Sequence, residues 1–141
     1  MKSEFSSHRS EMLLLNFRRS IAAQSRISAK KAFQEAADAP APRFWVSEAR
    51  AARIISRMRQ GDDPTVDMTT EKREMYRELY RRFLILEKQN PQMPVGDIVF
   101  TIVNDTAPKS YISPERARQL IAAQKKINAL KRRHHSNTNS L

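Results

Sequence analysis

Six stretches of the chain place apolar side chains at the three- and four-residue spacing of one helix face. In residues 11–24, Leu14, Phe17 and Ile21 form a stripe that Leu13 and Leu15 broaden, with Arg18 and Arg19 as solvated flanks. In 29–38, Ser28 is an N-cap and Ala32, Phe33, Ala36 and Ala37 turn inward. Ala39-Pro40-Ala41-Pro42 ends that helix, because proline has no amide donor and restricts the residue before it. Arg43 to Val46 then reads as a short extended connector, and Ser47 caps a third helix over 48–60, with Ala51, Ile54, Ile55 and Met58 inward. Gly61-Asp62-Asp63-Pro64 stops it.

The second half follows the same plan. Thr69 or Thr70 caps a long amphipathic helix over 71–89, with Glu71 and Glu74 near its positive end. Met75, Leu79, Phe83 and Leu86 make its inner stripe, broadened by Tyr76, Tyr80 and Leu84. Asn90-Pro91 closes it, and Pro94 fits the first turn of the next helix. Ile98, Val99, Ile102 and Val103 face inward there. Asp97 to Val103 also suits a strand by composition. The matching Ala-rich segment in the first half, Lys31 to Ala37, argues for helix in both. Ser113-Pro114-Glu115 opens a last helix that runs to Lys131 or Arg133.

The two halves are related by an offset of 66 residues. Ala41-Pro42-Arg43-Phe44-Trp45-Val46-Ser47 recurs as Ala107-Pro108-Lys109-Ser110-Tyr111-Ile112-Ser113. Arg50, Ala51 and Ile55 recur as Arg116, Ala117 and Ile121. The inward positions 32, 33, 36 and 37 align with 98, 99, 102 and 103, so the likeness extends back through the preceding helix. The expected architecture is all-α, in two tandem three-helix units. Residues 1–10 are a polar tail, 11–60 the first unit, 61–68 a linker, 69–133 the second unit and 134–141 a second tail.

Charge adds a partner. The net charge of the 141-residue chain is +11. Residues 43–59 sum to +4 and residues 109–133 to +7, which accounts for all of it. Each half thus concentrates its positive charge on its third helix and the connector entering it. A polyanion is the expected partner, nucleic acid before an anionic membrane surface. The apolar sides of the third helices carry Ala and Ile rather than Trp or Phe, which speaks against a membrane role. There is no cysteine, so disulfides and thiolate metal sites are excluded. No apolar run approaches the roughly 18 residues of a membrane span.

Enzyme chemistry finds no foothold. His8, His134 and His135 fall in expected tails, the carboxylates are scattered, and no phosphate loop, metal-ligand spacing or nucleophile motif occurs. No cofactor and no metal are expected. Arg50, Arg53 and Arg57 instead share one face of the third helix, opposite its inward residues. Their counterparts are Arg116, Gln119 and Ala123, with Arg118, Lys125 and Lys126 adding charge nearby. Arg pairs in bidentate fashion with guanine and Gln with adenine in the major groove. Arg43 and Lys109 enter the two helices, and the Ser47 and Ser113 caps leave helix N-terminal amides suited to a phosphate. Trp45 and Tyr111, just ahead of those caps, read first as staples onto the core and second as stacking platforms.

The motif Pro40-Ala41-Pro42-Arg43-Phe44-Trp45-Val46-Ser47-Glu48, followed by Arg50-Ala51, resembles one found in small basic proteins of gut Bacteroidota, often duplicated as here. The resemblance covers about residues 25–133 and implies a bacterial or phage origin. It implies no activity. The units also resemble helix-turn-helix modules, although Ala39 to Val46 is longer than their usual turn and carries two prolines. The expected function is binding of duplex DNA by the third helices, in a cytoplasmic, nucleoid-associated regulator or DNA-organising protein. The alternatives are an RNA- or ribosome-associated protein, and a protein-interaction or virion-assembly component docked on an acidic partner.

Overall fold

The computed structural model describes residues 5–139, with side chains to His135. It contains α1 (Ser6–Ala23), α2 (Ala29–Asp38), α3 (Glu48–Arg59), α4 (Thr70–Gln89), α5 (Val95–Val103) and α6 (Pro114–Asn139). Among the described residues the only extended pairing is a single antiparallel bridge between Ala41 and Ala107. The protein is all-α, as expected. The two expected tails are shorter than 1–10 and 134–141: α1 already begins at Ser6 and α6 continues through His134 to Asn139. Residues 1–4 and 140–141 of those tails lie outside the described residues.

The helices divide into two compact units that do not follow the expected boundaries 11–60 and 69–133. One holds Phe5, Ser6 and Asp38–Ile112, and so contains α3, α4 and α5. The other holds Ser7–Ala37 and the chain from Ser113 onward, and so contains α1, α2 and α6. Each unit takes two consecutive helices from one half of the chain and the third helix from the other half. A helix-turn-helix pair consecutive in sequence, α2 with α3, therefore does not lie inside either unit.

In the first unit α3, α4 and α5 pack against one another. Alternation of type along each helix decides which side chains meet. Ala51, Ile54 and Ile55 of α3 are buried, as are Met75, Tyr76, Leu79 and Phe83 of α4 and Ile98, Val99, Ile102 and Val103 of α5. Each such fully buried Leu, Ile or Phe contributes roughly 1.5–3 kcal/mol relative to an exposed one. Leu84 is 44 % exposed, so the inner face of α4 is narrower than its apolar residues suggested. The connector after α2 is held by backbone bonds. The Ala41 and Ala107 amides each donate to the other's carbonyl at 2.9 Å, and the Phe44 amide donates to the Val103 carbonyl at 2.9 Å. That last bond satisfies one of the carbonyls that the C-terminus of α5 leaves unpaired. Pro94 is the N-cap of α5 rather than a first-turn residue.

α3 ends in a closed turn. Gly61 takes φ +85°, its amide donates to the Met58 carbonyl and the Asp62 amide donates to the Arg57 carbonyl, both at 3.1 Å. This pair of bonds reverses the chain and needs a residue without a Cβ at the left-handed position. Asp63 then accepts from the Thr65 amide at 3.0 Å and hydroxyl at 2.6 Å, fixing the turn that leads to α4.

In the second unit Leu13, Leu14 and Asn16 of α1 are buried, with Ala32, Ala36 and Ala37 of α2 and Ala117, Ile121 and Gln124 of α6. Leu15 and Ile21, expected on the inner stripe of α1, are 40 % and 43 % exposed. The buried face is turned toward Asn16, whose amide donates to the Ala36 carbonyl in a long bond of 3.4 Å. Phe17 and Phe33 stack with centroids 4.7 Å apart. Ser28 caps α2, accepting from the Lys31 amide at 3.2 Å.

Candidate nucleic-acid interface

The first unit presents α3. Ser47 is its N-cap and accepts from the Arg50 amide at 3.1 Å. With Ala51, Ile54 and Ile55 turned inward, the helix period carries Arg50, Arg53 and Arg57 to the opposite, exposed side. That placement agrees with the sequence reading, but most of these cations already have partners. Arg50 Nε donates to the Tyr76 hydroxyl at 3.1 Å. Arg57 grips Asp62 through two bonds of 2.9 and 2.6 Å. Arg59 pairs with Glu87 at 2.7 Å and lies over the Phe83 ring. Arg53 is exposed and makes no hydrogen bond or ion pair with any described residue.

The connector cations are also engaged. Arg43 Nε donates to the Phe44 carbonyl at 2.9 Å and Nη2 to the Val46 carbonyl at 2.6 Å, while its guanidinium sits 5.2 Å from the Phe5 ring centroid. Arg43 thereby braces the turn into α3. Lys109 pairs with Glu74 at 3.1 Å and lies over the Tyr111 ring. Exposed pairs of this kind hold weakly and exchange with a competing anion. They nevertheless lower the positive potential of the first unit. At the N-terminus of α3, Glu48 already supplies an anion. A hydrogen bond from the Asn104 amide at 3.1 Å, its own backbone amide and the charge of Arg43 hold its carboxyl below the usual range. The expected phosphate position there is thus occupied by a protein carboxylate.

Trp45 and Tyr111 are core residues, 6 % and 8 % exposed. Trp45 Nε1 donates to the buried Ser110 hydroxyl at 3.1 Å. Tyr111 stacks on Phe44 with centroids 5.9 Å apart, and burial pushes its hydroxyl pKa up. Tyr111 has φ +56°, a strained setting for a bulky side chain. The staple reading describes both aromatics. Neither offers a face to a base.

The second unit presents α6. Ser113 accepts from the Arg116 amide at 3.1 Å. Ala117, Ile121 and Gln124 are buried, and Arg116, Arg118, Gln119, Lys125 and Lys126 are exposed. Arg116 donates to the Gln119 side-chain oxygen at 3.3 Å, so the two expected reading residues hold one another. Arg118 is paired with Glu115 and keeps that carboxyl below its usual range. Lys125 lies 4.8 Å over the Phe17 ring. The geometry adds one residue that the sequence reading put in a tail. Arg9 of α1 is half-buried, and burial first and the charge of Arg116 second lower the pKa of its guanidinium.

No described helix is long and apolar enough to cross a membrane. Compared with protein-family models, with curated proteins and with solved structures, the chain matches none.

Proposed function

We propose that the protein binds nucleic acid, duplex DNA in first place, through α3 and α6, as a small regulator or DNA-organising protein of the bacterial nucleoid. The observation that carries this reading is where the charge lies. The whole net charge of +11 resides on the two third-helix segments and their connectors, and the cations of both helices are exposed. On this reading the 66-residue offset marks a duplicated module. α3 packs against α4 and α5, and α6 shares its unit with α1 and α2, so the helices beside each third helix come from the other half of the chain rather than from the preceding helix of a helix-turn-helix module. Arg50 and Arg53 then read base edges in one place, and Arg116 and Gln119 in another. Because the two sets differ, the preferred site is asymmetric rather than palindromic.

The test is selection from a randomised duplex pool by the full chain and by a variant carrying Arg50→Ala, Arg53→Ala, Arg116→Ala and Gln119→Ala. The full chain is expected to enrich a non-palindromic motif and the variant none. Absence of binding to any duplex or structured RNA at low salt overturns the reading. Preference for structured RNA over duplex at equal salt assigns the same surfaces to RNA instead. A protein partner has one specific observation in its favour, Phe100 of α5 at 61 % exposure. Loss of a co-purifying acidic protein on Phe100→Ser, with DNA binding absent, would move the assignment there.

A further inference from the structure

Resting on the nucleic-acid reading above, we propose that the distal half of α6, from Lys125 to Arg133, is the principal phosphate-binding element. It lies in a groove of duplex DNA between the two backbones. Gln124 is the last buried residue of α6 among the described ones, yet the helix runs on to Asn139. Lys125, Lys126, Lys131, Arg132 and Arg133 are all exposed. They put five positive charges into nine residues with no carboxylate among them. None forms an ion pair with a described carboxylate, unlike Arg57, Arg59, Lys109 and Arg118.

Their arrangement around the helix selects the partner. Successive residues step by about 100°, so Lys131, Arg132 and Arg133 alone span roughly 200° of the circumference. Ile127 and Leu130, 38 % and 63 % exposed, share one side of the helix. Lys126 and Arg133 flank that side on one edge and Lys131 on the other. A narrow apolar strip with cations on both margins matches a groove, where phosphates form two walls and thymine methyl groups lie on the floor. The major groove, about 12 Å wide, admits a helix of this kind. A second copy of α6 would set like charges against each other along both margins. Two apolar residues bury too little area to hold a helix on a lipid surface. Helix α3, with 12 residues against 26 in α6, has no matching extension. The division of labour that results is a short reading face on each third helix and one long holding arm.

The experiment titrates random-sequence duplex DNA with the full chain, from about 50 to about 200 mM salt. Two variants of the full chain accompany it. One carries Gln at Lys125, Lys126, Lys131, Arg132 and Arg133. The other carries Gln at the exposed Lys30, Lys31, Lys72, Arg77 and Lys88, and so has the same net charge. Gln keeps helix propensity, and far-UV circular dichroism checks it. The three cations on the margins, Lys126, Lys131 and Arg133, correspond to a slope of about 2.7 in log affinity against log salt. Over that interval the unchanged chain should therefore weaken roughly 40-fold more than the distal variant. The charge-matched control should keep most of the original slope. A distal variant with the original slope, or a control that loses as much as the distal variant, overturns the proposal while the nucleic-acid reading stands. Equal loss of binding to phosphatidylserine vesicles and to duplex would also overturn it, by removing the need for a groove. If the unchanged chain does not bind duplex at all, the reading fails and the proposal with it.

Discussion

At the scale of single residues, the motif shared by the two halves serves structure before function. Trp45 and Ser110 occupy non-equivalent places in that motif and satisfy each other across the first unit. Trp45→Phe leaves the Ser110 hydroxyl buried without its donor and should cost about 1–3 kcal/mol in chemical denaturation, with the salt slope for DNA unchanged. Glu48 gives a prediction of opposite kind. Its carboxyl is held below the usual range, chiefly by the Asn104 amide, so the folded state binds that proton less readily than the unfolded state. The stability it contributes is present above its unfolded pKa, about 4.3, and is lost as pH falls through the lower folded value. Glu48→Gln should flatten that acid limb of the unfolding curve. It should also tighten duplex binding by about two- to five-fold, by removing an anion from the N-terminus of α3. The caps Ser47 and Ser113 and the outward side of each third helix were legible in the sequence, because both follow from local spacing. The partners that occupy Arg43, Arg57 and Lys109 were not. Asp62 reaches Arg57 only after the chain reverses at Gly61, and Glu74 meets Lys109 from a helix far off in sequence.

At the scale of elements, the two glycines separate backbone strain from packing. Neither has an atom within 4 Å of where a Cβ would stand. Gly61 holds φ +85° in the turn that ends α3, so Gly61→Ala should destabilise by about 1 kcal/mol through the backbone alone. Gly96 lies in the first turn of α5 at an ordinary φ, so Gly96→Ala should stabilise by up to about 0.5–1 kcal/mol. Thermal unfolding of the two variants should move in opposite directions. Helix existence and type follow from the sequence along the chain, including α5, where Ile, Val and Phe favour a strand and the paired Ala-rich segment points to helix. α6 ends at Asn139 rather than at Lys131 or Arg133. Polar residues after Arg133 signal a tail by composition, and no apolar spacing beyond them marks the helix that continues to Asn139.

At the scale of the whole molecule, the period of 66 residues says that the halves are alike but not which helices pack together. Hydrophobic spacing identifies inward faces and is silent about whose inward face meets whose. The proline-containing connector joins residues far apart in sequence. It extends far enough for Ala41 to pair with Ala107 and for Phe44 to close the end of α5. Because each compact unit draws on both halves, a chain cut in the linker between Asp63 and Met68 should give two fragments that unfold without cooperativity when separate. Mixed in equal amounts they should recover cooperative unfolding. Independent cooperative folding of either fragment as a monomer would contradict the observed division.

The central claim, that the outward cations of α3 and α6 hold duplex nucleic acid, is tested most directly by the affinity of the full chain for random duplex DNA as a function of salt. The account predicts tight binding at about 50 mM salt that falls linearly on logarithmic axes, with a slope of about −4 or steeper. Affinity that is absent at low salt, or present and insensitive to it, would contradict it.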